Sequence, residues 1–150
     1  MLVLIVNLNG GLGNQLFQYA MARDLAAKKG VELKLDAVSG FDGDRYERRY
    51  ALGPFKITAP LATPDEIRRL ATLWRPRELW RVWRKLQPYY WRHILKEQPP
   101  KQFHYDPNVL RCRRNAYIFG FWQDERYFAD SAETIRREFT LREPPSPQTY

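Results

Sequence analysis

Two apolar segments separated by a helical repeat open the chain and predict a strand, a helix and a second strand. Met1–Leu8 contains an unbroken apolar run, which is typical of a strand covered on both faces of a parallel sheet. The helical repeat begins at Asn14 and ends at Gly30, and its apolar residues are Leu16, Phe17, Ala20, Met21 and Leu25. Val31–Asp36 is the second apolar segment. This order predicts an α/β fold with a Rossmann-like parallel sheet and flanking helices.

The later segments predict further elements on the same sheet. Ser39–Pro54 is polar and contains glycine, which predicts a loop over a cleft. Thr63–Glu66 has the sequence of a helix capping box with proline at the first helical position, and a second helical stripe covers Leu79–Leu86. Tyr117–Trp122 is interpreted as another buried strand, and we expect a helix from Asp130 or Ser131 through Phe139.

The loop between the first strand and the first helix is the strongest candidate site. Its three glycines permit positive φ angles and leave the backbone open to a ligand. Asn14 is a good N-cap, and the free N–H groups at a helix start favour an anionic or hydroxyl-rich ligand. Asn14 and Gln15 also add two carboxamides, which donate and accept hydrogen bonds together and therefore suit a sugar. The candidate binding residues are Gly11, Gly13, Asn14, Gln15 and, at the end of the last predicted strand, Gln123.

A dinucleotide site is the alternative interpretation of this loop. Gly11 and Gly13 match the first two glycines of the dinucleotide fingerprint, but Leu16 occupies the position of the third. Asp36, at the end of the second apolar segment, stands where a carboxylate would bind a ribose. Asp36 and Asp124 are also candidates for a base that takes a proton from an attacking hydroxyl, or alternatively for carboxylates of a turn or cap.

Length and composition favour one folded domain, since the 150 residues are 44% hydrophobic and 15% aromatic. We expect this domain to cover residues 1–143, with a helical insertion at about 64–98 and a tail or truncated linker at 144–150. The single cysteine, Cys112, excludes an internal disulfide and fits a reducing compartment. Met1–Leu8 is too short to span a bilayer, so we expect a cytoplasmic chain. His93 and His104 lack metal-ligand spacing, so no metal site is predicted.

Positive charge is concentrated in residues 74–96. The net charge of the chain is +8, and this segment holds seven basic residues against one acidic residue, interleaved with six aromatic residues. Such interleaving is found where proteins bind nucleic acid, acidic lipid or phosphorylated sugar carriers. The apolar stripe Leu79–Leu86 favours instead a helix whose arginines face water. Among the binding roles, a peripheral contact with the inner membrane face fits best, and nucleic acid is not an expected partner.

Two segments resemble a known enzyme family. Gly10–Ala20, with the sequence GGLGNQLFQYA, follows the first strand and closely resembles the opening of the α-1,2-fucosyltransferases of glycosyltransferase family 11. Phe119–Phe128, FGFWQDERYF, is similar to a later segment of that family. The family's His-x-Arg-Arg-x-Asp segment, implicated in holding the GDP phosphates, is absent, because Arg111–Asn115 lacks both the histidine and the final aspartate. We therefore expect the amino-terminal portion of such an enzyme.

The resemblance implies an α/β domain that forms the amino-terminal half of a GT-B-like glycosyltransferase. It implies transfer of L-fucose from GDP-fucose to the 2-hydroxyl of a galactose unit, with inversion and with no metal or other cofactor. GDP-fucose and a galactose-containing acceptor glycan would then be the partners. Two alternatives stay open: a nucleotide-binding oxidoreductase domain, and a basic module that docks on membranes or nucleic acid without catalysis.

Overall fold

The computed structural model describes residues 2–72, 85–98 and 103–144. The strands within these ranges are β1 (Val3–Asn7), β2 (Glu32–Asp36), β3 (Ile94–Lys96) and β4 (Ala116–Phe119). The helices are α1 (Leu12–Lys29), α2 (Pro64–Thr72) and α3 (Ala132–Glu138), with short 3-10 turns at Tyr89–Trp91, Pro107–Arg111, Glu125–Tyr127 and Ala129–Ser131. None of the helices in this part of the chain is long and apolar enough to cross a membrane.

The four strands form one sheet in the order β2-β1-β4-β3, and every neighbouring pair is parallel. Val6 of β1 lies in register with Leu35 of β2 on one side and with Ile118 of β4 on the other. All five residues of β1 are buried, which explains the unbroken apolar run in the sequence. The predicted α/β architecture with a parallel sheet is therefore confirmed.

Helices cover both faces of the sheet. Leu4 and Val6 pack with Leu25 of α1 in the main core, whereas Val3 and Ile5 pack with Leu70 of α2 in a second cluster. Because successive strand residues point to opposite faces, the two clusters lie on opposite sides of β1. Each fully buried aliphatic side chain contributes about 1.5–3 kcal/mol to the free energy of unfolding. The central strand therefore holds the two helical layers together.

The ends of α1 confirm one prediction and correct another. Gly30 ends the helix in the left-handed region at φ 61°, and its N–H bonds the carbonyls of Ala26 and Ala27, as the sequence predicted for this position. At the other end, the N-cap is Gly11, so Asn14 lies inside the first turn and the prediction that Asn14 caps the helix is wrong. No side chain caps α1. The N–H groups of its first turn therefore receive no side-chain partner.

Three other predicted elements have clear outcomes. The capping box is confirmed, because the Thr63 N–H donates to Oε2 of Glu66 at 2.9 Å and the Glu66 N–H donates to Oγ1 of Thr63 at 3.3 Å. The last strand ends at Phe119 and not at Trp122, since the backbone turns through φ 159° at Gly120 and φ 57° at Trp122. The last helix begins at Ala132, close to its expected start.

The predicted helical insertion at about 64–98 contains a strand of the sheet. Ile94–Lys96 forms β3, which pairs with β4 at the edge of the sheet, so the chain returns to the sheet before residue 98. Most of the predicted helix with the apolar stripe Leu79–Leu86 lies outside the described residues, as do residues 145–150 of the predicted tail.

Candidate functional site

A cavity of about 370 Å³ lies at the carboxyl edge of the sheet. Its walls come from the loop after β1 (Asn9 and Gly10), the loop after β2 (Ser39 and Gly40) and the end of β4 (Phe119). The chain leaves β1, passes through α1 and returns as β2, which lies on one side of β1. On the other side of β1 lies β4, and α2 covers the face of the sheet opposite to α1. In parallel α/β sheets, ligands bind at the carboxyl end of such a switch point. The topology therefore places the cavity where a ligand is expected.

Asn14 enters the cavity from the first turn of α1. Its Oδ1 accepts a hydrogen bond of 2.6 Å from Nε2 of Gln123, whereas its Nδ2 has no partner among the described residues. Gly10 makes this position possible, because a Cβ there would lie 2.4 Å from Nδ2 of Asn14. The fold of the described residues thus leaves the Nδ2 group of Asn14 available as a hydrogen-bond donor.

Asn9 supplies a complementary acceptor. Its backbone N–H donates to Oε1 of Gln18 at 3.0 Å, and its Nδ2 donates to Oδ1 of Asn7 at 3.0 Å. Its Oδ1 accepts no hydrogen bond within the described ranges. A fixed acceptor therefore lines the same cavity as the donor of Asn14.

Gln18 joins the two loops that flank the switch point. It is fully buried, and its Nε2 donates to the Gly120 carbonyl at 3.1 Å while its Oε1 accepts the Asn9 N–H. Sequence reasoning missed this role, although a signal was present. Gln18 lies three, four and seven positions before Met21, Ala22 and Leu25, so the buried stripe of α1 carries a polar residue. A buried carboxamide within an apolar stripe indicates that it bonds the backbone of another element.

A second network, of hydrogen bonds between side chains, connects β2 with β1 and β4. The Tyr117 hydroxyl donates to Oδ2 of Asp36 at 2.7 Å and accepts from Nδ2 of Asn7 at 2.7 Å, while Oδ1 of Asp36 accepts the N–H groups of Val38 and Ser39. Burial alone would raise the pKa of Asp36, but hydrogen bonds from Ser39, Tyr117 and Val38 outweigh it and hold that pKa below its ordinary value. Burial also raises the pKa of Tyr117.

Asp36 is therefore a structural carboxylate. It is fully buried, and both of its oxygens already accept hydrogen bonds from this chain. A general base must reach the hydroxyl that it deprotonates, and a ribose ligand needs a free carboxylate. The hypotheses that made Asp36 a base or a ribose ligand do not fit this arrangement. Asp124 is likewise occupied, since it accepts the Arg126 N–H and pairs with the Arg126 guanidinium at 2.7 Å.

The cavity holds one ion pair, formed by two residues of the Ser39–Pro54 loop. Arg48 donates to Asp44 through Nη2 at 2.7 Å and through Nε at 3.1 Å, and both residues line the cavity. The hydrogen bond from the Arg48 side chain lowers the pKa of Asp44 to about 2. The Arg48 guanidinium also lies 4.8 Å from the centre of the Tyr46 ring. The two charges of this pair therefore compensate each other within the cavity lining.

The five predicted binding residues have different positions. Asn14 lines the cavity, and the exposed Gln123 reaches it through the hydrogen bond to Asn14. Gly11 and Gly13 do not line the cavity, and a Cβ on either would meet no atom within 4 Å. Only Gly10 in this loop needs a positive φ, of 74°.

Gln15 lies beneath the loop and not in the cavity wall. It is buried, and its Nε2 donates to the carbonyls of Gly10 and Arg49 while its Oε1 accepts the Ala51 N–H. These three bonds use both donors and one lone pair of the carboxamide. Gln15 therefore fastens the Ser39–Pro54 loop to the start of α1. The contact between Gln15 and a sugar stays a prediction. The buried position of Gln15 beneath the loop does not favour that contact.

Among residues 2–72, 85–98 and 103–144, no three His, Cys, Asp or Glu side chains gather in a way that could hold a metal ion. No protein-family model, curated protein or solved structure matches this chain.

Proposed function

We propose that the chain is a glycosyltransferase domain and that its cavity receives a sugar ring. One observation carries this proposal: Asn14 and Asn9 line the cavity, and within the described ranges neither Nδ2 of Asn14 nor Oδ1 of Asn9 has a hydrogen-bond partner. A sugar hydroxyl both donates and accepts, so neighbouring hydroxyls can satisfy the two groups together. A volume of about 370 Å³ lies at the lower end of the range for small-molecule sites, which suits one ring better than a whole nucleotide sugar.

The charge of the cavity also favours a neutral ligand. Of the residues that the structure describes, Arg48 is the only cation that lines the cavity, and Asp44 accepts hydrogen bonds from both its Nε and its Nη2. An anionic ligand would have to compete with that carboxylate for the guanidinium. A polyol can instead bind the pair without separating it.

The resemblance of Gly10–Ala20 and Phe119–Phe128 to glycosyltransferase family 11 supports a more specific proposal. The chain would be the amino-terminal half of a GT-B-like fucosyltransferase, which transfers L-fucose from GDP-fucose to the 2-hydroxyl of a galactoside with inversion. In that reaction the cavity would hold the galactoside, and Asn14 and Asn9 would orient its hydroxyls. Fixing the attacking hydroxyl accelerates transfer because the entropy of alignment is lost on binding and not in the transition state.

The oxidoreductase alternative has less support. Dinucleotide sites of this fold bind the ribose through a carboxylate at the end of β2. That residue is Asp36, whose oxygens are already bonded to Tyr117, Val38 and Ser39.

Ligand titration tests the proposed sugar site. Isothermal titration and saturation-transfer NMR should detect binding of methyl β-galactoside and should detect no binding of NAD. Asn14→Ala should weaken galactoside binding about two- to tenfold, since one hydrogen bond between neutral groups is worth about 0.5–1.5 kcal/mol. Asn108→Ala, in the turn Pro107–Arg111 outside the cavity lining, is the matched control and should bind normally. NAD binding without galactoside binding would refute the proposal.

A transfer assay tests the fucosyltransferase proposal separately. Because this chain lacks the His-x-Arg-Arg-x-Asp segment, the assay uses a complete enzyme that joins this domain to a GDP-binding half. Its incubation with GDP-fucose and lactose, followed by mass spectrometry, should give a product heavier by one deoxyhexosyl unit. Asn14→Ala should reduce the amount of product far more than it reduces the melting temperature. Product formation that Asn14→Ala does not change would remove the role assigned to Asn14, and absence of product in the complete enzyme would refute the fucosyltransferase proposal.

A further inference from the structure

Three phenylalanine rings extend outward from the cavity, and we name Phe103, Phe119 and Phe121 the phenylalanine platform. Phe119 and Phe121 line the cavity itself. Phe103 stacks on Phe121 with ring centres 5.5 Å apart and an angle of 25° between the ring planes. Phe119 and Phe103 are 43% and 49% exposed, which is high for side chains of this size. The platform therefore continues the cavity wall as an aromatic surface open to solvent.

Glu97 holds the backbone of all three platform residues. Its Oε1 accepts the Phe103 N–H at 3.0 Å, its Oε2 accepts the Phe121 N–H at 2.8 Å, and its own N–H donates to the Phe119 carbonyl at 3.1 Å. Phe103 adopts a φ of 65°, a left-handed conformation that is rare for a bulky residue and carries strain. The hydrogen bonds of Glu97 thus hold the backbone of the exposed rings in a fixed arrangement. Burial of apolar area does not explain this arrangement, because Phe103 and Phe119 are exposed.

We propose that the phenylalanine platform binds a second sugar ring, so that the ligand of this site is an oligosaccharide; the inference rests on the proposed sugar site. The cavity has room for one ring, and Phe119 and Phe121 belong both to the cavity lining and to the platform. Aromatic faces carry negative partial charge and attract the C–H groups on the apolar face of a pyranose. A chain of two or more sugars can therefore place one ring between Asn14 and Asn9 and the next against the platform.

The surroundings favour a sugar over a nucleotide base on the platform. Aromatic platforms for bases lie in positively charged grooves that follow the phosphates. Here Lys96 lies 5.7 Å from the centre of the Phe119 ring, and Arg48 of the cavity lining is neutralised by Asp44. The hydroxyl-binding pair in the cavity also requires a ligand that carries hydroxyls on the ring next to the platform.

A saccharide series tests this inference in the full chain. Affinities of methyl β-galactoside, lactose and a galactose-terminated trisaccharide would be measured by isothermal titration, with GMP as a nucleotide probe. We expect the oligosaccharides to bind about five- to tenfold tighter than the monosaccharide, which is the range of an added aromatic contact. Phe103→Ala should abolish most of this gain while monosaccharide affinity stays the same, because Phe103 lies outside the cavity lining.

Two controls separate the possible results. Trp91→Ala removes an aromatic side chain that is 54% exposed and lies outside the cavity lining, and it should keep the full gain. Asn14→Ala should weaken all three saccharides. Equal affinities across the series, or a gain that survives Phe103→Ala, would overturn the platform inference while leaving the sugar site intact. Tight GMP binding that Phe103→Ala removes would also overturn it, whereas failure of every saccharide to bind would overturn the proposed function. Circular dichroism of Phe103→Ala and of Phe103→Leu checks that both variants fold.

Discussion

Gly10 and Asn14 lie so close that a Cβ on Gly10 would come within 2.4 Å of Nδ2 of Asn14. Gly10 also has a φ of 74°, which residues with a Cβ adopt at a cost of about 1–2 kcal/mol. The first glycine of the loop therefore determines where the carboxamide of Asn14 can lie.

Gly10→Ala should lower the free energy of unfolding by about 1–2 kcal/mol and weaken galactoside binding, because both the backbone and Asn14 must shift. Urea unfolding and isothermal titration measure the two effects. Gly11→Ala is the matched control, since Gly11 has a φ of −74° and open space around it. An N-cap favours glycine over alanine, so this variant should lose up to about 1 kcal/mol, but its galactoside affinity should stay the same. Equal effects of both substitutions would contradict this account of Gly10.

Gly13→Ala should stabilise the chain by about 0.5–1 kcal/mol, because Gly13 lies within the first turn of α1 and a Cβ there meets no atom within 4 Å. Gly13 lies outside the cavity lining, so we expect galactoside affinity to persist. Thermal unfolding and titration of the same sample test both points. Loss of affinity in this more stable variant would show that the ligand extends to the helix start, as the sequence alone predicted.

Gln18→Ala should lower the free energy of unfolding by about 2–4 kcal/mol. The substitution leaves the Asn9 N–H and the Gly120 carbonyl without their buried partner, and each unsatisfied group costs about 1–3 kcal/mol. Urea unfolding gives the value. Gln123→Ala, which removes an exposed carboxamide that donates to Asn14, should change stability by less than about 0.5 kcal/mol. Similar losses in the two variants would argue against a bridging role for Gln18.

Asp36 should make stability fall in acid. Its pKa is lowered in the folded chain, so its carboxylate contributes stability above the unfolded value of about 3.9, and this contribution is lost as the pH falls through the folded value. Asp36→Asn should be less stable at pH 7 and should depend less on pH below about 4. Tyr117→Phe removes one donor to Asp36 and should reduce the same dependence. Urea unfolding between pH 2 and pH 7 measures how the free energy of unfolding depends on pH. The same pH dependence in the unchanged chain, in Asp36→Asn and in Tyr117→Phe would refute this contribution of Asp36.

Cys112 should be unreactive in the folded chain. It is buried, and burial raises the pKa of its thiol to about 11, so little thiolate is present at neutral pH. An aromatic disulfide reagent at pH 8 should modify the native chain at least about a hundredfold more slowly than the chain in denaturant. Rapid modification of the native chain would show that the Cys112 region opens readily.

Patterns between neighbouring residues predicted much of the fold. The apolar run at β1, the capping box at Thr63–Glu66 and the stop at Gly30 each depend on hydrogen bonds or burial within one element, so the sequence shows them directly. Ile94–Lys96 was missed as a strand because three residues are too few to show a period. Its place in the sheet comes from pairing with β4, more than twenty residues later.

The sequence by itself determined the order of the first strand, glycine loop and helix, and it placed Asn14 among the candidate ligand residues. Only the tertiary structure decided which polar groups remain available there. Gln15 and Gln18 are amides in the same helix as Asn14, and the side chains of both form hydrogen bonds with backbone groups of distant loops. Nδ2 of Asn14, in contrast, has no hydrogen-bond partner among the described residues. The physical reason is that a hydrogen-bonding group is free or occupied according to what the sheet brings beside it. Gln123 meets Asn14 across 109 positions of the chain, a separation that no local pattern records.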